Sequence, residues 1–281
     1  MPVGIPIGVA SAIFTAVVTE IYCHRYLAHR AFRLRPGLAL VLDTYFRVIV
    51  GTDPHSWAGV HRLHHRHADT PLDPHSPVQR RPITILTGTP YLFAVAKRRL
   101  PANRPAGLWI WSLRSLVVAF YLVTCGPVQV LVMLTVHLVL YMGFGGVINT
   151  VGHVYGSKPH PDFPGFDSAW LSLLLLGHGY HNSHHAHPAA PRTGRLDPVW
   201  PLLKLGAALG QVGLSGQEAR RPRRPSCCDA SVSLAAGAAS LIGRPPEAPI
   251  RFSALLRCRE GRARPGSGST RPDRARTTRR G

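Results

Sequence analysis

This sequence has little acid for its length. Thirteen Asp and Glu stand against 33 Lys and Arg, for a formal net charge of +20. Such a balance invites a nucleic-acid partner, but no zinc-finger, homeodomain or other reading motif accompanies it. About half of the excess lies in residues 214–281, where fifteen Arg meet five acidic residues. The rest sits mainly in loops beside apolar runs, as in a membrane protein whose cytoplasmic side is positive. Cysteine is also scarce in the patterns that matter. Cys23, Cys125, Cys227, Cys228 and Cys258 are odd in number and form no C-x-x-C pair, which excludes a disulfide framework and a cysteine zinc site. No cation precedes Arg25, so the first apolar run lacks the basic flank of a cleaved secretory signal.

What is present is apolar length. Val3 to Cys23 is almost wholly apolar and long enough to cross a bilayer. Arg25, Arg30, Arg33 and Arg35 follow and orient its C-terminal end toward the cytoplasm. Glu20, near the end of that run, is expected to point inward, away from lipid. Leu38 to Gly51, interrupted by Asp43 and Arg47, reads as an interfacial helix or a shallow excursion. Residues 78–107, with Arg80, Arg81, Lys97, Arg98, Arg99 and Arg104, read as a polar cytoplasmic segment. Leu108–Cys125 and Val128–Ile148 predict two spans joined by a tight hairpin at Gly126-Pro127. The run Ala169–Leu176 is too short to cross, and residues 197–210 suit a surface helix. The chain therefore divides at about 213, with a membrane domain over 1–213. Beyond it, 214–281 is a basic tail whose composition favours disorder over a lipid-touching arm.

Histidine supplies the chemistry. His61, His64 and His65 stand at H-x-x-H-H spacing, and His181, His184 and His185 repeat it. On a helix, positions i, i+3 and i+4 share a face, so each trio is expected to converge on one point. His24 and His29 form a third pair, and Asn149 and His153 lie one helical turn apart. Neutral imidazole is a ligand for iron, copper, nickel or zinc. A structural zinc site needs about four ligands, and these clusters offer more, which points to two ions or one large site. Counting crossings puts all clusters on one side of the membrane. A solvated His-rich loop does not account for a repeated spacing.

With H-R-Y-L-A-H, H-R-L-H-H and H-N-S-H-H in this order around apolar spans, the chain resembles the membrane fatty-acid desaturases, in particular the stearoyl-CoA (acyl-CoA delta-9) type. N-x-x-x-H, here Asn149 to His153, sharpens the match, and D-P-H-S-P after the second cluster also looks like the family's pattern. The resemblance covers roughly residues 10–210. It implies an all-α integral membrane protein with few transmembrane helices and a cytoplasmic, His-rich di-iron cap. The implied ligands are His24, His29, His61, His64, His65, His153, His181, His184 and His185, with Asn149 reaching one iron through water. It implies O2 as co-substrate, a fatty-acyl substrate, and a Trp57 that lines the acyl tunnel. Asp73, His75 and His178 are expected to orient ligands from behind.

Three departures stand out. The family usually has a transmembrane hairpin before the first box, where one span fits here, so either the N-terminal hairpin is incomplete or the missing span is dispensable. Gly177-His178-Gly179 replaces the common G-E-G. No cytochrome b5-like module is fused, so electrons are expected from a separate ferredoxin, cytochrome b5 or reductase-type protein.

Among the other histidines, His137 lies mid-span and is expected to make a structural hydrogen bond. His67 is expected to orient ligands, whereas His55, His160 and His187 read as loop residues. The nearest rival reading is a membrane di-iron hydroxylase, favoured less by the Asn149/His153 element and the box spacing. A metal-binding or metal-transport protein would instead put ligands within the spans, facing a path across the bilayer.

Overall fold

The computed structural model describes residues 3–101 and 107–214. Its elements are almost all helical: α1 (Gly4–Val18) with a π-helical continuation (Thr19–Ala28), α2 (Pro36–Ile49), α3 (Pro54–His67), α4 (Pro82–Lys97), α5 (Leu108–Cys125), α6 (Pro127–Val151), α7 (Ala169–Leu174), α8 (His181–Ala186) and α9 (Trp200–Ala208). Two short strands, β1 (Arg33–Leu34) and β2 (Val212–Gly213), pair antiparallel, with Arg33 opposite Gly213. Among the described residues three helices are long and apolar enough to cross a membrane: Gly4–Ala28, Leu108–Cys125 and Pro127–Val151. They turn large apolar side chains outward, among them Phe14, Leu116, Phe120, Leu131 and Leu138, as lipid-facing helices do.

Local sequence explains the joints. Gly126 has φ +78° and ends α5, and Pro127 opens α6 at the position where a missing N–H costs nothing. Asp53 caps α3 by accepting from the Ser56 amide at 2.7 Å, again with a proline following. α1 packs closely along α6 because glycine faces it. A Cβ on Gly8 would lie 2.7 Å from the Met133 carbonyl oxygen and 2.8 Å from Val136 Cβ. Polar bonds tie the same pair of helices: Ser11 Oγ meets His137 Nδ1 at 2.9 Å, so the mid-span histidine is structurally paired.

Two readings of the sequence need correction. Residues 78–107 are not simply a polar segment, because Pro82–Lys97 forms a helix packed on α3 and α6. Its cations bracket an apolar stretch, P-I-T-I-L-T-G-T-P-Y-L-F-A-V-A, and averaging over the whole segment hid it. Arg104 lies outside the described residues. Arg25 is not a topogenic loop cation either. The first helix runs on to Ala28, and Arg25 is 1 % exposed within it. The stretch read as interfacial forms helix α2, whose charges pair internally as Arg47–Asp43 at 2.6 Å. The tail expected beyond 214 lies outside the described residues.

Close α1–α6 contact makes a prediction. Gly8→Val should part the two helices and cost about 1–3 kcal/mol, the usual range for overpacking, lowering the melting temperature in detergent. Gly88→Ala, where nothing lies within 4 Å, should be neutral or slightly stabilising. Equal melting temperatures for Gly8→Val and the unchanged chain would contradict this packing.

Candidate metal centre

His24 and His29 reach one face because of the helix that carries them. Five residues on an α-helix advance about 500°, leaving the two side chains roughly 140° apart. A π-helix closes i→i+5 bonds and so stacks residues five apart. Here the His29 amide donates to the His24 carbonyl at 3.1 Å, and the two rings lie 4.8 Å apart.

The two H-x-x-H-H boxes sit on α3 and α8 and face each other. They do not each converge on one point, as the spacing alone suggested. His61 and His65 join His24, His29 and His184 in a first group, while His64 joins His153, His181 and His185 in a second. Each box thus splits its i, i+4 pair from its remaining member. Both boxes lean on both groups, which abut where the His65 and His185 rings stand 4.3 Å apart. The second group is fully buried; in the first, His29, His61 and His65 are half-buried.

Within each group the Nε2 atoms point at one another. His24 to His184 is 3.0 Å, His184 to His65 is 3.0 Å and His29 to His61 is 2.8 Å. In the second group His153 to His181 is 2.9 Å, with His181 to His185 and His64 to His185 both 3.2 Å. Nitrogens bound about 2.0–2.1 Å from one metal at angles between octahedral and tetrahedral lie roughly 2.9–3.4 Å apart. The spacing fits donors that share an ion, and each group could hold one.

The opposite ring nitrogens are held from behind, as metal-binding histidines are. His24 Nδ1 lies 3.0 Å from Glu20 Oε2, His64 Nδ1 3.0 Å from Asp73 and His153 Nδ1 3.1 Å from Asp69. Asp73 is fixed by the amides of Asp69 and His75 at 2.9 and 3.0 Å, and Asp69 by Ser76 Oγ at 2.8 Å. Sequence reasoning named Asp73 but missed Asp69, whose place four residues earlier in the same H-A-D-T-P-L-D-P stretch was the available signal. His75 stacks on His64 at 4.6 Å, and His178 Nδ1 bonds Glu20 at 2.7 Å. Glu20 does face inward, as expected. Arg25 donates to it at 2.7 Å and to Asp197 at 2.8 Å, a link from the first span to the C-terminal loop that no motif announced. α8 is anchored by its own neighbours: Asp167 accepts from the Ser183 amide and hydroxyl, and Asn182 bonds the 160–164 loop.

Burial, reinforced by neighbouring imidazoles, pushes His29, His61, His64, His181, His184 and His185 down, and His65 down to about 3. These rings stay neutral, the form that binds metal. Burial works against charge on Asp69, but its bond to His153 and that ring's field hold it below the usual carboxylate range. Asp73 is pushed up by burial.

An apolar cavity lies against the groups between the first span, α3, α4 and α6. Trp57, Leu92, Phe93, Tyr141 and Ile148 line it, and Asn149, half-buried in the last turn of α6, and His181 face it. Trp57 stacks on His61 with ring centroids 5.3 Å apart. His160 is in neither group, and its ring meets that of His187 edge-on with centroids 5.1 Å apart.

Membrane-length helices, two sets of imidazoles able to hold metal, and an adjoining apolar cavity define a helical membrane protein with a histidine-built site suited to metal. The chain belongs to the fatty acid desaturase family, whose model matches residues 2–208. It is 28% identical to Delta-9 desaturase-like 2 protein of Arabidopsis thaliana over 63% of either chain. It is 27% identical to Delta-9 acyl-lipid desaturase 1 of the same plant, over 57% of this chain and 56% of that one. With the Acyl-CoA C20 Delta5-desaturase of Anemone leveillei it shares 30% identity, over 59% of this chain and 57% of that protein. The chain thus spans about three fifths of the length of these curated relatives.

The lowered histidines set a pH dependence. Unfolded imidazole takes up a proton near 6.5, whereas the buried ring resists protonation to lower pH. Below 6.5 the unfolded chain therefore binds more protons, and stability falls as pH falls through that value toward the folded pKa, about 3 for His65. Metal-free protein in detergent should melt at progressively lower temperature from pH 7.5 to pH 5. A flat profile over that window would contradict the buried, neutral state.

Proposed function

We propose that this chain is a di-iron, O2-dependent desaturase that introduces a cis double bond near the middle of a saturated fatty-acyl chain. The observation that carries the reading is the pair of imidazole groups pressed against an apolar cavity, in a member of the fatty acid desaturase family. His24, His29, His61, His65 and His184 would hold one iron. His64, His153, His181 and His185 would hold the other, with Asn149 reaching an iron through water. The excess of donors over one zinc site, and their purely imidazole character, favour two redox-active ions.

Bound iron would supply the means to use O2 and two electrons for removing hydrogen from two adjacent CH2 groups. In balance, R-CH2-CH2-R′, O2, two electrons and two protons give R-CH=CH-R′ and two waters. The protein's own residues hold and shield. Glu20, Asp73 and Asp69 keep their partner imidazoles turned inward. Leu92, Phe93 and Ile148 receive the acyl chain and exclude water, and Trp57, stacked on His61, fixes where the chain passes the metals. Electrons come from a separate ferredoxin, cytochrome b5 or reductase-type protein. The metal centre faces the cytoplasm, as the cluster Arg30, Arg33 and Arg35 after the first span favours. The cations of 80–99 suit the anionic head of an acyl thioester or lipid. Residues 1–213 carry the activity.

A hydroxylase would use the same centre. The relatives, two named as delta-9 and one as delta-5 desaturases, favour the double bond. A transporter is disfavoured by ligands gathered at helix ends rather than along a path across the bilayer.

Expression in a host lacking its own desaturase, with mass spectrometry of its fatty acids, tests this. Unsaturated chains should appear, and Trp57→Ala should keep its metal yet lower turnover or spread the bond position. Hydroxy fatty acids as the main product of the unchanged chain would move the assignment to the hydroxylase.

A further inference from the structure

The first imidazole group differs from the second in where its orienting carboxylate comes from. In the second, Asp69 and Asp73 belong to the loop after α3, where backbone amides set Asp73 and the Ser76 hydroxyl sets Asp69. In the first, the acid is Glu20, on the membrane span itself, one turn before His24 and 1 % exposed. An ionisable side chain there is costly unless every oxygen is engaged, and here each one is. Oε1 accepts from Arg25 Nε at 2.7 Å and Oε2 from His178 Nδ1 at 2.7 Å. The His24 Nδ1 lies between them, 3.1 and 3.0 Å from the two oxygens.

His178 is delivered to this point by glycines the packing requires. Gly177 has φ +103°, and a Cβ there would meet Arg25 Nη2 at 2.7 Å and Asp197 Oδ1 at 2.9 Å. At Gly179 a Cβ would overlap the Leu171–Ser172 backbone. The loop therefore has one side chain free to enter, and it lands against Glu20 with its ring 4.2 Å from that of His24. On the other side Arg25 is itself braced by Asp197, at 2.8 and 3.0 Å.

We propose that Glu20 is the positioning residue of the first metal, and that His178 and Arg25 act through it as a two-sided clamp that keeps the carboxylate aimed at His24. The proposal rests on the reading that the imidazole groups bind metal. It assigns His178 a role other than that of a tenth ligand. It also makes the acid transferable: residue 178 lies close enough to His24 for a carboxylate there to take over.

Cobalt(II) is the probe, titrated anaerobically into the metal-free full chain in detergent, with metal per chain and the visible cobalt spectrum as readouts. Glu20→Gln preserves shape and removes charge. It should weaken one of two bound ions by about 10–100-fold, as loss of an outer partner does, and change the spectrum of that ion alone. His178→Ala, which leaves Glu20 and Arg25 paired, should shift the same ion by less. Combining Glu20→Gln with His178→Glu should restore affinity and spectrum toward those of the unchanged chain. Wild-type affinity and spectrum in both single variants would overturn the proposal. So would a lower melting temperature with unaltered metal binding, since that is what a purely structural ion pair predicts. An unchanged chain that takes up no cobalt would instead overturn the reading beneath it.

Discussion

Nine imidazoles with their Nε2 atoms turned toward one another are the constraint on which the rest of this molecule depends. Where a carboxylate accepts the Nδ1–H, as at His24, His64 and His153, Nε2 is left an acceptor in a buried place, and a buried polar group without a partner is costly. Protonating the facing rings His181, His184 and His185 does not answer that need, because burial and the neighbouring rings resist it. A cation between the nitrogens does. A site of this kind would return folding free energy on binding an ion, so the surroundings have to hold the rings in place beforehand. Asp69, Asp73 and Glu20, gripping three rings by Nδ1, serve that purpose.

That requirement explains features that otherwise look incidental. The first span leaves the α-helix at Thr19, since only wider winding brings His24 and His29 to one face. The α3 and α8 boxes meet face to face and divide their members between the groups, so neither group depends on a single helix. Gly8 draws α1 onto α6, and that contact fixes the ends from which His24 and His153 enter. α4, tucked beside α6, completes the apolar cavity against the same rings.

Much of this was legible in the chain. Gly126-Pro127 marked the α5–α6 hairpin, because a left-handed glycine followed by proline is a stop and a start. Spacing at i, i+3 and i+4 put each box on one helical face. Spacing could not say that one face serves two centres, since that depends on how α3 and α8 are docked. Nor could it find the ion pairs. Arg25 looks like every other arginine that follows a span until Asp197, far along the chain, closes on it. α4 was hidden by the cations at its ends. Glu20 was readable as inward-facing from cost alone, but not as the partner of His24 and His178.

The central claim is that the two imidazole groups hold two irons, and metal content tests it most directly. Protein purified anaerobically from iron-replete cells should carry about two irons per chain by elemental analysis. His64→Ala, in one group, and His184→Ala, in the other, should each lose metal, while His160→Ala keeps it. Stoichiometric zinc with no capacity to take up iron, or equal losses in all three variants, would contradict the account.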